Sequence, residues 1–167
     1  MRHSIHSVSF FRNFIFGVED SLVSTVGLLS GIALATVPGE TILLTGTVLI
    51  FVEAFSMAAG SYLSESSADG YASGKDSPAN GNIADALVMF FSYFVSGFIP
   101  LFPYAVWPVE LALKVSISSS VAALFLLGLL SAALSGTKLL KSGIRMAIIG
   151  GMAIVVGATA GTLISLF

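Results

Sequence analysis

The stretch Val52-Glu53-Ala54-Phe55-Ser56-Met57-Ala58-Ala59-Gly60 lies inside a long, mostly apolar run, residues 41–63, that contains a single carboxylate. A charged side chain at bilayer depth costs roughly 2.5–3.5 kcal/mol, so such residues usually contact an ion, a proton path or a partner charge. Glu53 and Met57 are four residues apart and therefore share one face of a helix. A carboxylate oxygen and a thioether sulfur on one buried face indicate a site for a transition-metal ion.

The composition is that of an integral membrane protein. Of the 167 residues, 56% are hydrophobic and only 10% are charged, whereas soluble domains carry about 25% charged residues. The chain has no cysteine, which excludes disulfides, thiolate metal sites and cysteine catalysis. It has no basic cluster, so we expect no nucleic-acid partner. The first apolar run is too long and too acidic for a cleaved signal peptide.

Five apolar runs are each close to the ~20 residues that a spanning helix needs. They cover residues 14–37, 41–63, 83–102, 111–134 and 144–167. The sequence therefore predicts an all-α, polytopic membrane protein with a single transmembrane domain of five helices. Pro100 and Pro103 are predicted to end the third helix. Residues 64–82 are rich in Ser, Gly, Asp and Asn, which predicts a flexible loop with room for one helical turn continuing from the second helix.

The positive charges predict an orientation, because cytoplasmic loops carry an excess of Lys and Arg. With the N-terminus in the cytoplasm, the inner side holds six such residues and the outer side holds only Lys114. The inner six are Arg2, Arg12, Lys75, Lys138, Lys141 and Arg145. We therefore predict a cytoplasmic N-terminus and a C-terminus outside. The membrane would be the plasma (inner) membrane in a prokaryote, and a vacuolar or organellar membrane in a eukaryote.

Small residues four apart occur in three of the predicted helices. They are Gly27 and Gly31, Gly157 and Gly161, and Ser56 and Gly60. Such pairs let helix backbones approach closely in lipid. The Gly27/Gly31 pair is equally compatible with packing inside one bundle and with the contact surface of a dimer.

Two adjacent acids, Glu19 and Asp20, lie in the first apolar run. Neighbouring helical residues point about 100° apart, so we expect only one of them to face the bundle interior. Asp20 shares a side with Ser24 and Gly27 and is the preferred functional acid. Glu19 is expected to reach the inner surface or to pair with Arg12. The alternative is that both acids simply lie at the membrane interface.

Each of the other candidates also has a structural interpretation. Glu53 could be a hydrogen-bond partner of a neighbouring helix, and Met57 could be a packing residue. Glu65, Asp69 and Asp76, with Ser66, Ser67 and Asn80, could form a weak cation-gathering surface or only a solvated loop.

The tail and the third run add further candidates. His3 and His6 are interpreted as part of a solvated tail, because two histidines supply too few donors for a metal site. Carbonyls freed by the prolines could line a cation path or could merely end the helix. Tyr93 is a possible polar contact, and Tyr104 is expected to anchor at the membrane interface.

Several catalytic motifs are missing, which excludes the corresponding enzymes. The chain has no GxxxxGK[ST], no HExxH and no Ser/His/Asp set. Asp20 and Glu53 could each hold a metal ion or a proton but not both, because a metal ligand must be deprotonated. Such mutual exclusion is the physical basis of metal/proton antiport. The alternatives are a non-transporting membrane assembly, a metal-sensing subunit and a passive cation channel.

Four segments together resemble the vacuolar iron transporter family. Residues 12–25 (RNFIFGVEDSLVST) are similar to its first-span signature R-D-x-x-F-G-x-x-D-G-L-V-S-T, and residues 53–64 (EAFSMAAGSYLS) are similar to its second-span segment A-x-S-M-A-x-G-E-Y-x-S. Residues 97–104 (GFIPLFPY) resemble its G-x-x-x-P-L-x-P-Y segment, and residues 141–151 (KSGIRMAIIGG) resemble the link into its last span. The similarity follows the chain in order over nearly its whole length.

The resemblance implies a five-span, homodimeric antiporter that exchanges Fe²⁺, and in some members Mn²⁺, for protons and removes the metal from the cytoplasm. It implies no prosthetic group, because the metal is the transported substrate. It also implies an ion path at the dimer interface, between the first two helices of each subunit. Asp20 and Met57 match the family's first-span acid and second-span methionine.

The sequence also departs from the family pattern. The glutamate-rich cytoplasmic domain that members commonly carry between the second and third spans is reduced here to residues 64–82. Ser21 replaces the usual Gly, and Ser61 replaces the usual Glu. Glu53 stands where many members have a small or apolar residue, so it could replace a lost acid nearby or alter the choice of metal.

Overall fold

The chain folds into a bundle of five helices. The computed structural model describes residues 2–74 and 79–166, and this part of the chain contains no strand. The helices are α1 (Arg2–Leu34), α2 (Gly39–Ser73), α3 (Ala79–Val106), α4 (Val109–Ser135) and α5 (Leu139–Ile164). Each is long and apolar enough to cross a membrane. The all-α, five-span prediction is therefore confirmed, whereas the orientation of the termini stays a prediction.

The first two helices are longer than predicted and extend at the same end of the bundle, here called the N-terminal end. No proline or glycine interrupts residues 2–16, so α1 begins at Arg2 instead of residue 14. The 33 and 35 residues of α1 and α2 correspond to about 50 Å of helix, against a hydrocarbon core of ~30 Å. Both helices therefore project beyond the membrane at this end.

The predicted loop over residues 64–82 is wrong in its first half, because α2 continues as helix to Ser73. It ends at Gly74, which has a positive φ of 63° and donates its backbone N–H to the carbonyl of Gly70. Tertiary contacts stabilise this extension: Arg12 of α1 pairs with Glu65, and the Asn82 side chain of α3 donates to Ser66 Oγ at 3.0 Å. The side chains of His3, His6 and Asn80, and all of Asp76, lie outside the described residues.

The prediction that Pro100 and Pro103 end the third helix is also wrong, since α3 continues through both to Val106. Neighbouring groups can satisfy the backbone around a proline in a membrane helix. Here Ser116 Oγ of α4 donates to the carbonyl of Pro100 at 2.7 Å, and the N–H of Trp107 donates to the carbonyl of Pro103 at 3.0 Å. The prolines therefore lie inside a span, and the carbonyl of Pro100 is bonded to α4.

The helix α1 contacts all four other helices and is the centre of the bundle. An apolar cluster lies at the end that carries the α1–α2 turn, and it consists of Leu29, Ala33, Ile42, Ile50, Leu101, Tyr104 and Ala112. A second cluster lies toward the N-terminal end and consists of Ile15, Leu22, Leu124, Leu127 and Met146. Tyr104 is buried in the first cluster, so its predicted role as an interface anchor is wrong.

The two glycine pairs pack against each other within one chain. A Cβ at Gly31 would lie 2.5 Å from the carbonyl oxygen of Gly157, and a Cβ at Gly157 would lie even closer to the carbonyl oxygen of Gly27. Only glycine allows the backbones of α1 and α5 to approach this closely. The Gly27/Gly31 pair is thus used for packing inside the bundle, and its alternative role in a dimer contact is not supported.

Candidate functional site

Asp20 of α1 and Glu53 of α2 lie close together although 33 positions separate them in the chain. Their carboxylates are near enough for their charges to interact, and both side chains are half-buried. Within the described part of the chain, neither acid takes part in a hydrogen bond or a salt bridge. The antiparallel course of the two helices thus places two like charges side by side in the span, without a cationic partner there.

Tyr93 of α3 is the third polar group at this level. Its side chain is fully buried, and its hydroxyl shares a 2.7 Å hydrogen bond with Ser24 Oγ. Ser21 Oγ donates to the backbone carbonyl of Tyr93, also at 2.7 Å. The Tyr93 side chain interacts electrostatically with both Asp20 and Glu53. The Tyr93 hydroxyl therefore lies within electrostatic reach of the acid pair, and the apolar cluster around Leu29 lies beyond it toward the α1–α2 turn.

A cavity of about 620 Å³, lined by both polar and apolar side chains, lies on the other side of the acid pair, toward the N-terminal end. We call it the N-terminal cavity. It is lined by Arg12, Asn13, Phe16, Ser56, Met57, Gly60, Ser61, Ser64, Glu65 and Met89. Phe16 and Met57, each four residues from one of the acids, are among the lining residues, so an ion could approach the acids from this end.

The predicted site residues are only partly brought together. Asp20 and Glu53 lie within electrostatic reach of each other, while Met57 lies one turn from Glu53 and lines the N-terminal cavity. Glu65 is in the same cavity, where it pairs with Arg12. Asp69 is exposed on the α2 extension.

Glu19 does not pair with Arg12, so that alternative is wrong. Its carboxylate interacts electrostatically with Arg145 of α5, and with the adjacent Asp20. The reason is that α5 packs along α1 near this position, whereas Arg12 lies on the side of α1 that meets the α2 extension. Glu19 therefore has a cation in reach, and Asp20 is the acid that meets Glu53.

Three buried residues of this region escaped the sequence-based reasoning. Asn13 and Met89, each 3% exposed, line the N-terminal cavity, and Asp85, 6% exposed, lies one turn from Met89 on α3. A signal existed, because Asp85 and Met89 repeat the four-residue spacing of Glu53 and Met57. Among the described residues, no three His, Cys, Asp or Glu side chains form a metal-binding group. A bound metal would thus need sulfur or hydroxyl ligands, water or a second copy of the chain.

These features define the class of protein. Unpartnered acids inside a bundle of spanning helices, next to a polar cavity, are typical of membrane proteins that move ions. The family model for the VIT family matches residues 11–80 and 70–162, so the chain belongs to the VIT family. Membership implies metal-ion transport across a membrane, and members of this family are transporters and not enzymes. No curated protein matches the chain.

Proposed function

We propose that this protein exports Fe²⁺ or Mn²⁺, or both, from the cytoplasm in exchange for protons. The observation that carries the proposal is that Asp20 and Glu53, two half-buried acids from different spanning helices, lie within electrostatic reach of each other. In the described part of the chain they have no hydrogen-bond or salt-bridge partner. Two acids kept in the span without such a partner need a mobile one, either a proton or a cation.

The exchange follows from charge. Two ionised carboxylates at short range repel each other, and this repulsion favours protonation or a bound cation. A divalent cation neutralises both carboxylates but requires them to be deprotonated, so the arriving metal releases protons. Protons from the other side of the membrane then replace the metal. Met57, one turn away on α2, adds a soft ligand that favours Fe²⁺ over calcium and magnesium.

A second copy of the chain is part of the proposal. Ser56 and Gly60 lie on an exposed face of α2 next to Met57, and nothing lies within 4 Å of a Cβ built at Gly60. With the Gly27/Gly31 pair used inside the bundle, this face is the small-residue surface left for close helix contact. A homodimer along α2 would bring two acid pairs to one path and would exclude lipid from it.

The test is metal-driven proton flux in liposomes that contain the purified protein. We expect Asp20→Ala and Glu53→Ala to abolish the flux, whereas Glu110→Ala, an exposed acid at the start of α4, leaves it unchanged. Unchanged flux in both acid variants would refute the assignment.

The same liposomes separate the alternatives. A passive cation channel would carry Mn²⁺ without proton movement and without saturation. A metal-sensing subunit or a non-transporting assembly would bind Mn²⁺ but carry none across the bilayer. Saturable Mn²⁺ flux with stoichiometric proton counterflow is the result that the proposal requires.

A further inference from the structure

We propose that the N-terminal cavity is a second cation site, in which a divalent metal ion displaces the Arg12 guanidinium from Glu65 before it reaches the acid pair. The inference deepens the proposed function and rests on it for the identity of the ion. It concerns Arg12, Asn13, Glu65 and Met89, which lie at the end of the path and not at Asp20 and Glu53.

The cavity requires a polar occupant. Asn13 is 3% exposed and lines the cavity, and its Nδ2 has no hydrogen-bond partner among the described residues. The hydroxyl of Ser61, on the opposite helix, is buried and unpartnered in the same way. A buried polar group that stays unpaired is destabilising. Water or a hydrated ion can satisfy both groups, whereas a lipid chain can satisfy neither.

The cavity also supplies metal ligands. Glu65 contributes a carboxylate at one end of the cavity, and thioethers come from Met57, eight residues away on α2, and from Met89, which lies against Gly17 of α1. Hard divalent ions prefer oxygen-only sites, while thioethers bind softer transition metals. A partly hydrated transition-metal ion fits this set, because its remaining waters can hydrogen-bond to Asn13 and Ser61.

Arg12 already supplies a positive charge to the carboxylate of Glu65. Its guanidinium forms an ion pair with Glu65, to which Ser9 Oγ also donates at 3.2 Å. The Arg12 side chain is 63% exposed, while that of Glu65 is 21% exposed. Arg12 can therefore move into solvent while Glu65 stays at the cavity. Since a guanidinium is never deprotonated in proteins, Arg12 competes with the metal at every physiological pH and keeps Glu65 neutralised between cycles.

The cavity and the acid pair are connected along α2. Glu65, Ser61, Met57 and Glu53 follow each other at intervals of four residues, so each neighbouring pair shares a face of α2, and the row turns about 120° around the helix over its length. The twelve residues from Glu65 to Glu53 span about 18 Å. An ion released from Glu65 would pass Met57 before it reaches Glu53.

The test is equilibrium binding of Mn²⁺ to the detergent-purified full chain. Binding is measured as the decrease in the electron paramagnetic resonance signal of free Mn²⁺. An Asp20→Asn, Glu53→Gln background removes the acid pair, so that the cavity is measured alone. In this background we expect Arg12→Gln to tighten Mn²⁺ binding about tenfold, which corresponds to ~1.4 kcal/mol, because a competing charge is removed. Arg12→Lys keeps the charge and should leave the affinity close to that of the background, and Glu65→Gln should weaken binding about tenfold.

The decisive result is the combined variant. Once Glu65→Gln is present, Arg12→Gln should have no further effect, because there is no carboxylate left to compete for. If Arg12→Gln leaves Mn²⁺ binding unchanged or weaker, or if its effect persists with Glu65→Gln, the inference is overturned.

The thioether is tested by a matched pair of methionines. We expect Met89→Leu to lower the ratio of Co²⁺ to Mg²⁺ affinity, because only the softer ion uses the sulfur. Met152→Leu, at an exposed position on α5, should leave the ratio unchanged. An unchanged ratio in Met89→Leu would remove Met89 from the site.

Chemical labelling of the protein without any substitution gives a test that does not depend on whether the variants fold. Phenylglyoxal labels free guanidinium groups, and mass spectrometry resolves Arg12 from Arg145. We expect labelling of Arg12 to rise with Mn²⁺ and to saturate, while labelling of Arg145 stays constant. No rise at Arg12 overturns the inference.

Both measurements are independent of transport. A chain that binds Mn²⁺ in this way but carries none across vesicles would refute the proposed function and keep the cavity site. If the protein transports Mn²⁺ but substitution of Arg12 does not change its Mn²⁺ affinity, the cavity site is refuted and the proposed function is not.

Discussion

Among single residues, Tyr93 is the one that connects the acid pair to the rest of the bundle. It is fully buried, it shares a hydrogen bond with Ser24, and it lies within electrostatic reach of Asp20 and Glu53. A phenol hydroxyl both donates and accepts hydrogen bonds, so either Ser24 or Tyr93 can supply the proton of the bond between them. Tyr93 therefore orients polar groups at the point where the path meets the apolar cluster around Leu29.

A double-mutant cycle tests the Tyr93–Ser24 bond. Tyr93→Phe keeps the ring and removes the hydroxyl, and Ser24→Ala removes its partner. Polar bonds between membrane helices contribute about 0.6 kcal/mol on average, so we expect a coupling free energy of that order for unfolding in mixed micelles. Additive effects of the two changes would show that the bond contributes nothing. As a control, Ser118→Ala removes an exposed hydroxyl that bonds only within α4 and should be neutral.

Among the helices, the contact between α1 and α5 depends most strictly on residue size. Gly27, Gly31, Gly157 and Gly161 place backbone against backbone along this contact. Because α1 carries Asp20 and meets every other helix, its position against α5 also fixes where the acid lies. The same pairs could not serve a dimer contact without opening the bundle.

Gly157→Ala tests this contact. The added methyl group would overlap the carbonyl oxygen of Gly27, and overpacking of this kind costs about 1–3 kcal/mol. We expect a lower melting temperature in detergent, followed by the fluorescence of Trp107, the only tryptophan of the chain. At Gly151, also on α5, nothing lies within 4 Å of an added Cβ, so Gly151→Ala should be neutral or stabilising. Equal melting temperatures for both variants would contradict the contact.

At the scale of the whole molecule, the five helices are not equally buried by one another. Helix α1 is surrounded by the other four helices, whereas α2 exposes a face that runs past the N-terminal cavity. In water such a face would demand a partner, but in a bilayer lipid can cover the apolar part of it. The polar and small residues near the cavity, Ser56, Gly60 and Ser64, are the part that lipid covers poorly.

A homodimer along α2 can be tested by cross-linking, since the chain has no native cysteine. We expect Ser56→Cys and Gly60→Cys each to form a disulfide-linked dimer in membranes under mild oxidation. Ser118→Cys, on an exposed face of α4, should form no disulfide-linked dimer. Cross-linking at Ser118 as efficient as at Ser56, or none at either α2 position, would argue against this dimer.

The sequence by itself determined the five spans and singled out Asp20 and Glu53. Both depend on local physics, because a bilayer demands about 20 apolar residues per span and makes each acid inside a span conspicuous. It missed the end of α2 and the course of α3 through its prolines, since contacts with other helices stabilise both. Neither the Arg12–Glu65 pair nor the Ser116 bond to Pro100 can be read from a local pattern.

The tertiary structure alone decided which groups meet. It placed Asp20 within electrostatic reach of Glu53 and Glu19 within reach of Arg145 instead of Arg12. It also placed Met57 and Met89 in the lining of one cavity. It also assigned the Gly27/Gly31 pair to the contact with α5. A helical pattern fixes the face on which a residue lies, but the neighbour of that face depends on how whole helices pack, and packing is a property of all five helices together.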